Sequence, residues 1–183
     1  VFPEMKRMLA SIDIGAHSAR LLIVEADRNG AYETIEDLEI PVPLGADVFK
    51  TGRISNQSVS MLCEIMKKFK WKMQEYRITE YCAIATSAVR EAENADIFLE
   101  RVHFLSGLDV KIFTGTDEAR LGYLAVQSVI PSNFRFDEQT LLLADIGTGA
   151  CQVSLFDHGV MRFTETIKLG TLRAVEGFSD TSS

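Results

Sequence analysis

The sequence predicts an α/β fold built on a mixed sheet, and three features carry that expectation. Three short apolar runs near the start are joined by tight turns. A helical period then alternates with further strands. The opening theme returns later, with Asp145 standing 132 residues after Asp13.

Met8–Ile14 is apolar and ends at Gly15, as a buried strand does. Arg20–Ala26 follows as a second strand, and Asp27–Gly30 supplies turn chemistry. Tyr32–Ile40 returns as a third, so the sheet begins antiparallel. The period then changes. Ser55 is placed to cap a helix running to about Tyr76. Its apolar residues, from Val59, Leu62 and Ile65 to Phe69 and Met73, recur every three or four positions. Glu80–Thr86 reads as a strand, Ala95–Leu105 as a helix and Val110–Phe113 as a short strand. Thr116–Val129 reads as a helix, capped at Thr116 and ended by Pro131. Alternation of this kind implies parallel crossovers, giving a five-stranded mixed sheet flanked by helices.

Pro131–Gln139 is polar and irregular and serves as a linker. After it come strand Thr140–Ile146, glycines 147 and 149, strand Gln152–Phe156, turn Asp157–Gly159 and strand Val160–Ile167. The expected domains are residues 1–130 and the truncated beginning of a second similar domain over 131–183. The chain therefore reads as a fragment, and its tail FSDTSS carries no structure signal.

Composition narrows the function classes. Hydrophobic residues make up 46% of 183, enough for a packed core. The net charge of −7 gives no general attraction to nucleic acid or an anionic membrane, so an anionic ligand needs a local site. Cys63, Cys82 and Cys151 are odd in number and widely spaced, which argues against disulfides or structural zinc and for a reducing compartment. His17, His103 and His158 lack metal-ligand spacing. The first twelve residues contain no signal-peptide core, and no run reaches the ~18 apolar residues of a membrane span. The cytoplasm is the expected setting.

The two glycine loops, DIGAHS and DIGTGA, are the candidate site. A glycine after a strand lets backbone N–H groups face an anion with no Cβ in the way. Two such loops, one from each domain, can clamp a phosphate chain across a cleft. An Asp at each strand end can face a divalent cation or its water. Taken singly, Asp-Ile-Gly is also a common strand-to-turn ending. Its repetition in matching context favours the phosphate cradle, although P-loop spacing and GxGxxG are both absent.

In order along the chain, the motifs resemble those of the exopolyphosphatase / guanosine pentaphosphate phosphatase (Ppx/GppA) family. That family belongs to the ribonuclease H-like, actin-like ATPase superfamily. DIGAHSARL at Asp13–Leu21 resembles D-I/L-G-S-N-S-x-R-L. Leu44-Gly45 with TGRIS at 51–55 resembles L-G followed by T-G-R-I/L-S. ATSAVREAEN at Ala85–Asn94 resembles A-T-S-A-x-R-x-A-x-N, the most specific match. GTDEARL at Gly115–Leu121 resembles G-x-E-E-A-x-L, and Asp145–Gln152 resembles D-I-G-G-G-S-T-E. The similarity runs through essentially the whole chain, without the helical C-terminal portions of longer members.

The resemblance implies a ribonuclease H-like fold and removal of terminal phosphate from inorganic polyphosphate or guanosine pentaphosphate, with Mg²⁺ or Mn²⁺. A homodimer of the full-length protein is compatible with it. Glu118 takes the place of the proposed general base, although helix capping explains an acid there equally well. Arg90, after the small-residue turn ATSAV, becomes a phosphate contact, where the residues alone also allow a surface ion pair with Glu91 or Glu93. Gly15, His17, Ser18, Gly147, Thr148 and Gly149 would cradle phosphates, while Asp13, Asp145 and Gln152 would face the metal. Ser18 also reads as a turn hydroxyl, and His17 as an exposed loop residue.

Several positions depart from the pattern. Ala16 and His17 replace Ser-Asn, Thr148 replaces a glycine, and Ala150-Cys151-Gln152 replaces Ser-Thr-Glu. Glutamine keeps a carbonyl acceptor but not the charge, so metal affinity should fall. That supports an alternative function, a weakened polyphosphate- or nucleotide-binding regulatory protein on the same scaffold. A third class, an ATPase or sugar kinase, suits Asp-Ile-Gly-Thr-Gly but not Ala85–Asn94. The basic run Lys67–Arg77 with Trp71 reads either as a guide for a polyanion or as a solvated helix face.

Overall fold

A computed structural model of the chain describes residues 6–28, 30–131 and 133–174. The tail FSDTSS falls outside the described residues. The elements run β1 (Arg7–Ile14), β2 (Ser18–Ala26), β3 (Tyr32–Pro41), α1 (Leu44–Thr51), α2 (Asn56–Glu75), β4 (Glu80–Ala85), α3 (Ser87–Glu91), α4 (Ala95–Ser106), β5 (Lys111–Ile112), α5 (Gly115–Val129), β6 (Thr140–Ile146), β7 (Cys151–Asp157) and β8 (Val160–Ile167).

The chain divides into two compact units, Val1–Ile112 and Phe113–Ser183. The division falls ahead of α5, not at the polar stretch near 130, because α5 packs on the second sheet. In the first unit the strand order is β3-β2-β1-β4-β5. The β1–β2 and β2–β3 pairs are antiparallel, and the β1–β4 and β4–β5 pairs are parallel. This is the mixed sheet that the change of period predicts.

Alternation fixes which face is buried. Ala10, Ile12 and Ile14 of β1 and Ala19, Leu21 and Ile23 of β2 are buried. In the same core lie Val59, Leu62, Ile65, Met66, Phe69 and Met73 of α2. Each fully buried side chain of this size stabilises by roughly 1.5–3 kcal/mol. Ser55 caps α2, accepting from the Ser58 N–H at 3.1 Å. The basic residues of the run Lys67–Arg77 lie on the outer side of α2 and its end, while Phe69 and Met73 within it face the core. Lys67 pairs with Glu64 and Lys72 with Glu75. Trp71 is 63% exposed, so a solvated helix face describes the run.

In the second unit β6, β7 and β8 form an antiparallel sheet in that order. Helix α5 lies on one face: Tyr123 stacks on Phe156 with centroids 4.1 Å apart, and a Cβ added to Gly122 would meet Leu143 Cδ2 at 3.3 Å. Among the described residues no helix is long and apolar enough to cross a membrane.

Candidate active site

Both hairpins close in the same way. Gly15 donates its N–H to the Ser18 carbonyl at 2.9 Å, and Gly147 donates to the Ala150 carbonyl at 2.9 Å. Within each unit, the chain after the third strand holds the loop carbonyls. The Ala16 carbonyl accepts from the Gly45 N–H at 2.7 Å, and that of His17 from the Val42 N–H at 2.8 Å. In the second unit the Gly147 and Thr148 carbonyls accept from the Thr171 and Leu172 N–H groups, at 3.2 and 3.0 Å. The Gly149 carbonyl accepts from Arg173 Nε at 2.5 Å.

The consequence is geometric. In a trans peptide the carbonyl of one residue and the N–H of the next point in opposite directions, and the described chain contains no cis bond. Turning the Ala16 and His17 carbonyls inward therefore turns the His17 and Ser18 N–H groups away. In the second loop the N–H groups of Thr148, Gly149 and Ala150 are turned away from Thr171–Arg173 in the same manner. Successive N–H groups on one side of a turn form a concavity that suits an anion.

Protein packing does not demand glycine at the two loop starts. A Cβ at Gly15 would lie 3.5 Å from the Ser18 carbonyl oxygen, and one at Gly147 3.4 Å from that of Ala150, both ordinary contacts. Neither has a left-handed backbone. The bare Cα leaves room for a group that approaches the loop.

In the first unit β1 and β4 are parallel and end together at Ile14 and Ala85. Thr86 donates its N–H to the Ile14 carbonyl at 3.2 Å. The first glycine loop and the segment carrying Arg90 thus leave adjacent carboxyl ends. There the connection switches from antiparallel to parallel, the place where open α/β sheets bind ligands. Arg90 stands on the five-residue helix α3, which takes up Ser87–Val89 of the ATSAV stretch expected as a turn. Asn94, at the cap position of α4 just after that helix, ties the α3–α4 connection to the chain before α2: its amide accepts from the Ile54 N–H and donates to the Ile54 carbonyl, both at 2.9 Å. Glu93 pairs with Arg53 at 3.0 Å and is therefore not reserved for Arg90. Ser18 begins β2, and its hydroxyl donates to Glu39 Oε1 at 2.6 Å. His17 is exposed, and so is Asp13, the second-last residue of β1.

In the second unit a row of residues crosses the sheet: Asp145 faces Gln152, and Gln152 faces Thr166. Gln152 is buried, and both ends of its amide are engaged. Thr166 donates its hydroxyl to Oε1 at 2.8 Å, and Nε2 donates to the Thr164 hydroxyl. Thr164 in turn bonds the buried Ser154 at 2.9 Å. Above this row sits the first turn of α5, where a Cβ on Gly115 would collide with the Thr166 hydroxyl and reach 3.2 Å from Gln152 Oε1. Gly115, Glu118 and Gly122 share one stripe of the helix, and Glu118 is half-buried on it.

The helix cap is Thr114, not Thr116. Thr114 accepts from the Asp117 N–H at 3.2 Å, and the Asp117 carboxylate accepts from the Thr114 N–H at 3.0 Å. Asp117 therefore serves the capping box, held below the usual carboxylate value chiefly by the Thr114 hydroxyl and also by its N–H. Glu118 stands one residue further on, still in the first turn of α5.

A family model described as the Ppx/GppA phosphatase family matches residues 23–182. The chain belongs to that family. It is 32% identical over 176 residues to the bifunctional 3-dehydroquinate synthase/phosphatase of Fusobacterium nucleatum, covering 92% of this chain and 26% of that protein. It is 30% identical over 146 residues to exopolyphosphatase 1 of Mycobacterium tuberculosis, covering 80% and 41%. The Ppx/GppA family member from Aquifex aeolicus matches in structure with a TM-score of 0.79 at 31% identity, over 95% of this chain and 55% of that one. The chain thus spans about a quarter to two fifths of these curated relatives. The ribonuclease H-like, actin-like fold implied by the motifs is the fold of this family.

Against the Ppx/GppA pattern the departures have physical readings. Ala16, at 1% exposure, points into the core, where a serine hydroxyl would need a partner. Gln152 is locked by the hydroxyls of Thr164 and Thr166. Sequence reasoning missed Gly115, Asn94, Thr164, Thr166, Gly170 and Arg173. The signal for Gly170 was present, because Leu-Gly follows the third strand in both units, at 44–45 and 169–170. A Cβ on Gly170 would run into the Thr148 carbonyl and lie 2.6 Å from the Gly149 carbonyl carbon.

Proposed function

We propose that the chain is part of a phosphohydrolase that releases the terminal phosphate from inorganic polyphosphate or guanosine pentaphosphate. The observation that carries this reading is the repeated hairpin, with its carbonyls held inward and its N–H groups turned out. Gly15, His17 and Ser18 bind phosphate in the first unit, and Gly147, Thr148 and Gly149 in the second. Ser18 acts through its N–H, because its hydroxyl is taken by Glu39. Arg90 adds a planar fork for phosphate oxygens. Glu118 is the general base: it orients water in line with the terminal phosphorus and takes its proton. Positioning and charge neutralisation supply most of the acceleration.

A divalent cation, Mg²⁺ or Mn²⁺, would screen the charge of the phosphate chain, with Asp13 the carboxylate that would face it in the first unit and Asp145 in the second. The residues present do not make a resident cage. Within each unit, among the described residues, no three His, Cys, Asp or Glu converge as metal ligands. The Gln152 amide is already spent on Thr164 and Thr166.

The locked Gln152 also favours a second reading, a phosphate-chain-binding regulatory protein without useful turnover. Phosphate release from polyphosphate and from guanosine pentaphosphate, with and without Glu118→Ala, decides between them. The enzyme reading expects release that the variant abolishes. The regulatory reading expects binding without release.

A further inference from the structure

We infer that the second loop takes its divalent cation only as part of the substrate, as a metal-chelated phosphate chain, and does not hold the ion beforehand. This rests on the phosphate-binding reading of that loop. Facing Asp145 across the strands stands a neutral amide whose two polar atoms are both used within the sheet. To ligate a cation, Gln152 Oε1 would have to share its neutral carbonyl between the ion and the Thr166 hydroxyl it already accepts, which leaves it a weak ligand. It has no room to turn away, since the Gly115 backbone closes over it and Gln152 is only 6% exposed. Asp145 is then the one carboxylate in the row. Hard divalent cations bind through several oxygens, and affinity follows the number of charged ones. A single exposed carboxylate is too little for a resident ion. It suffices as a contact to an ion that already carries phosphate oxygens and water, which is how Mg²⁺ commonly enters such sites.

The hydroxyl row has a second consequence. Thr164 and Thr166 can both donate to a carboxylate, with Ser154 donating to Thr164 in turn. A glutamate at position 152 would therefore be held in place with a negative charge facing Asp145, and the site would gain a resident ion.

The test measures Mn²⁺ binding to the chain by the loss of the free-ion electron paramagnetic resonance signal and by calorimetry. Mn²⁺ alone is compared with Mn²⁺ premixed with tripolyphosphate, for wild type and Gln152→Glu. The wild type should show no saturable site for Mn²⁺ alone tighter than about 1 mM, while binding the chelate. Gln152→Glu should bind Mn²⁺ alone at least tenfold more tightly. A wild-type site for Mn²⁺ alone below that limit overturns the inference and leaves the phosphate reading standing if the chelate also binds. A folded Gln152→Glu with unchanged Mn²⁺ affinity overturns it too. Failure of the wild type to bind the chelate removes the phosphate reading itself, and this inference with it. If circular dichroism shows that the variant does not fold, the wild-type comparison decides alone.

Discussion

Gly147 donates its backbone N–H to the Ala150 carbonyl at 2.9 Å, closing a hairpin whose other carbonyls are turned toward Thr171–Arg173. Gly15 and Ser18 repeat the bond in the first unit at the same length. The two loops share more than a sequence motif: in each, the backbone after the third strand decides which way the peptide planes face.

Gly147 and Gly170 should respond differently to alanine. At Gly147 the added methyl meets only ordinary contacts. Gly147→Ala should melt like wild type and bind tripolyphosphate at least tenfold more weakly. At Gly170 the methyl strikes the backbone of Thr148 and Gly149. Gly170→Ala should lose about 1–3 kcal/mol of stability as overpacking does, together with tripolyphosphate binding. Denaturant titration and calorimetry on both variants check this.

Glu118 and its neighbour Asp117 should separate cleanly. Glu118→Gln should reduce phosphate release by about 10²–10⁴-fold, the usual contribution of a general base, with tripolyphosphate affinity and melting temperature unchanged. Asp117→Asn removes the charge from the capping box and weakens it, and should lower the melting temperature with little effect on release. Equal losses of release in both variants would assign Glu118 to the cap.

The capping box also sets a pH dependence. The Asp117 carboxyl, held chiefly by the Thr114 hydroxyl, is lowered from its ordinary value of 3.8. A group depressed in the folded state stabilises above its unfolded value, and that stability is lost as pH falls through the folded one. The stability gap between wild type and Asp117→Asn should be full at pH 6 and close progressively below pH ~4. Urea titrations at stepped pH measure the gap.

Asn94 should matter more than its distance from the loops suggests. Asn94→Ala removes both bonds to the backbone of Ile54, a residue 3% exposed. Leaving those groups unpaired should cost about 1–3 kcal/mol. It should also weaken tripolyphosphate binding by releasing α3 and Arg90. Asn94→Asp, which keeps the acceptor and loses the donor, should fall between the two.

The sequence made the sheet legible because its alternation and its glycine endings are local signals. Helix α2 was equally plain, with Ser55 as cap and seven apolar positions in period. Helix α1 was not, because its cap position is Pro43 and no side chain closes its first turn. Five-residue α3 is too short to show a period, so its first residues, within ATSAV, read as a turn ahead of Arg90. The cap of α5 was placed at Thr116, yet the residue three further on is Ala119, which cannot reciprocate. Thr114 with Asp117 has the needed spacing. At the site, the glycines and acids could be named from motifs. What could not be read was where their partners lie: Arg173 on Gly149, Glu39 on Ser18 and Thr166 on Gln152 are all separated by 14 or more residues.

The central claim is that the outward N–H groups of the hairpins receive phosphate, and amide NMR tests it most directly. Tripolyphosphate should be titrated into ¹⁵N-labelled chain while the resonances of Thr148, Gly149 and Ala150, and of His17 and Ser18, are followed. The account predicts saturable downfield proton shifts at these amides, abolished at the second loop by Gly147→Ala. Saturable shifts elsewhere in the chain with these five amides unmoved would contradict it.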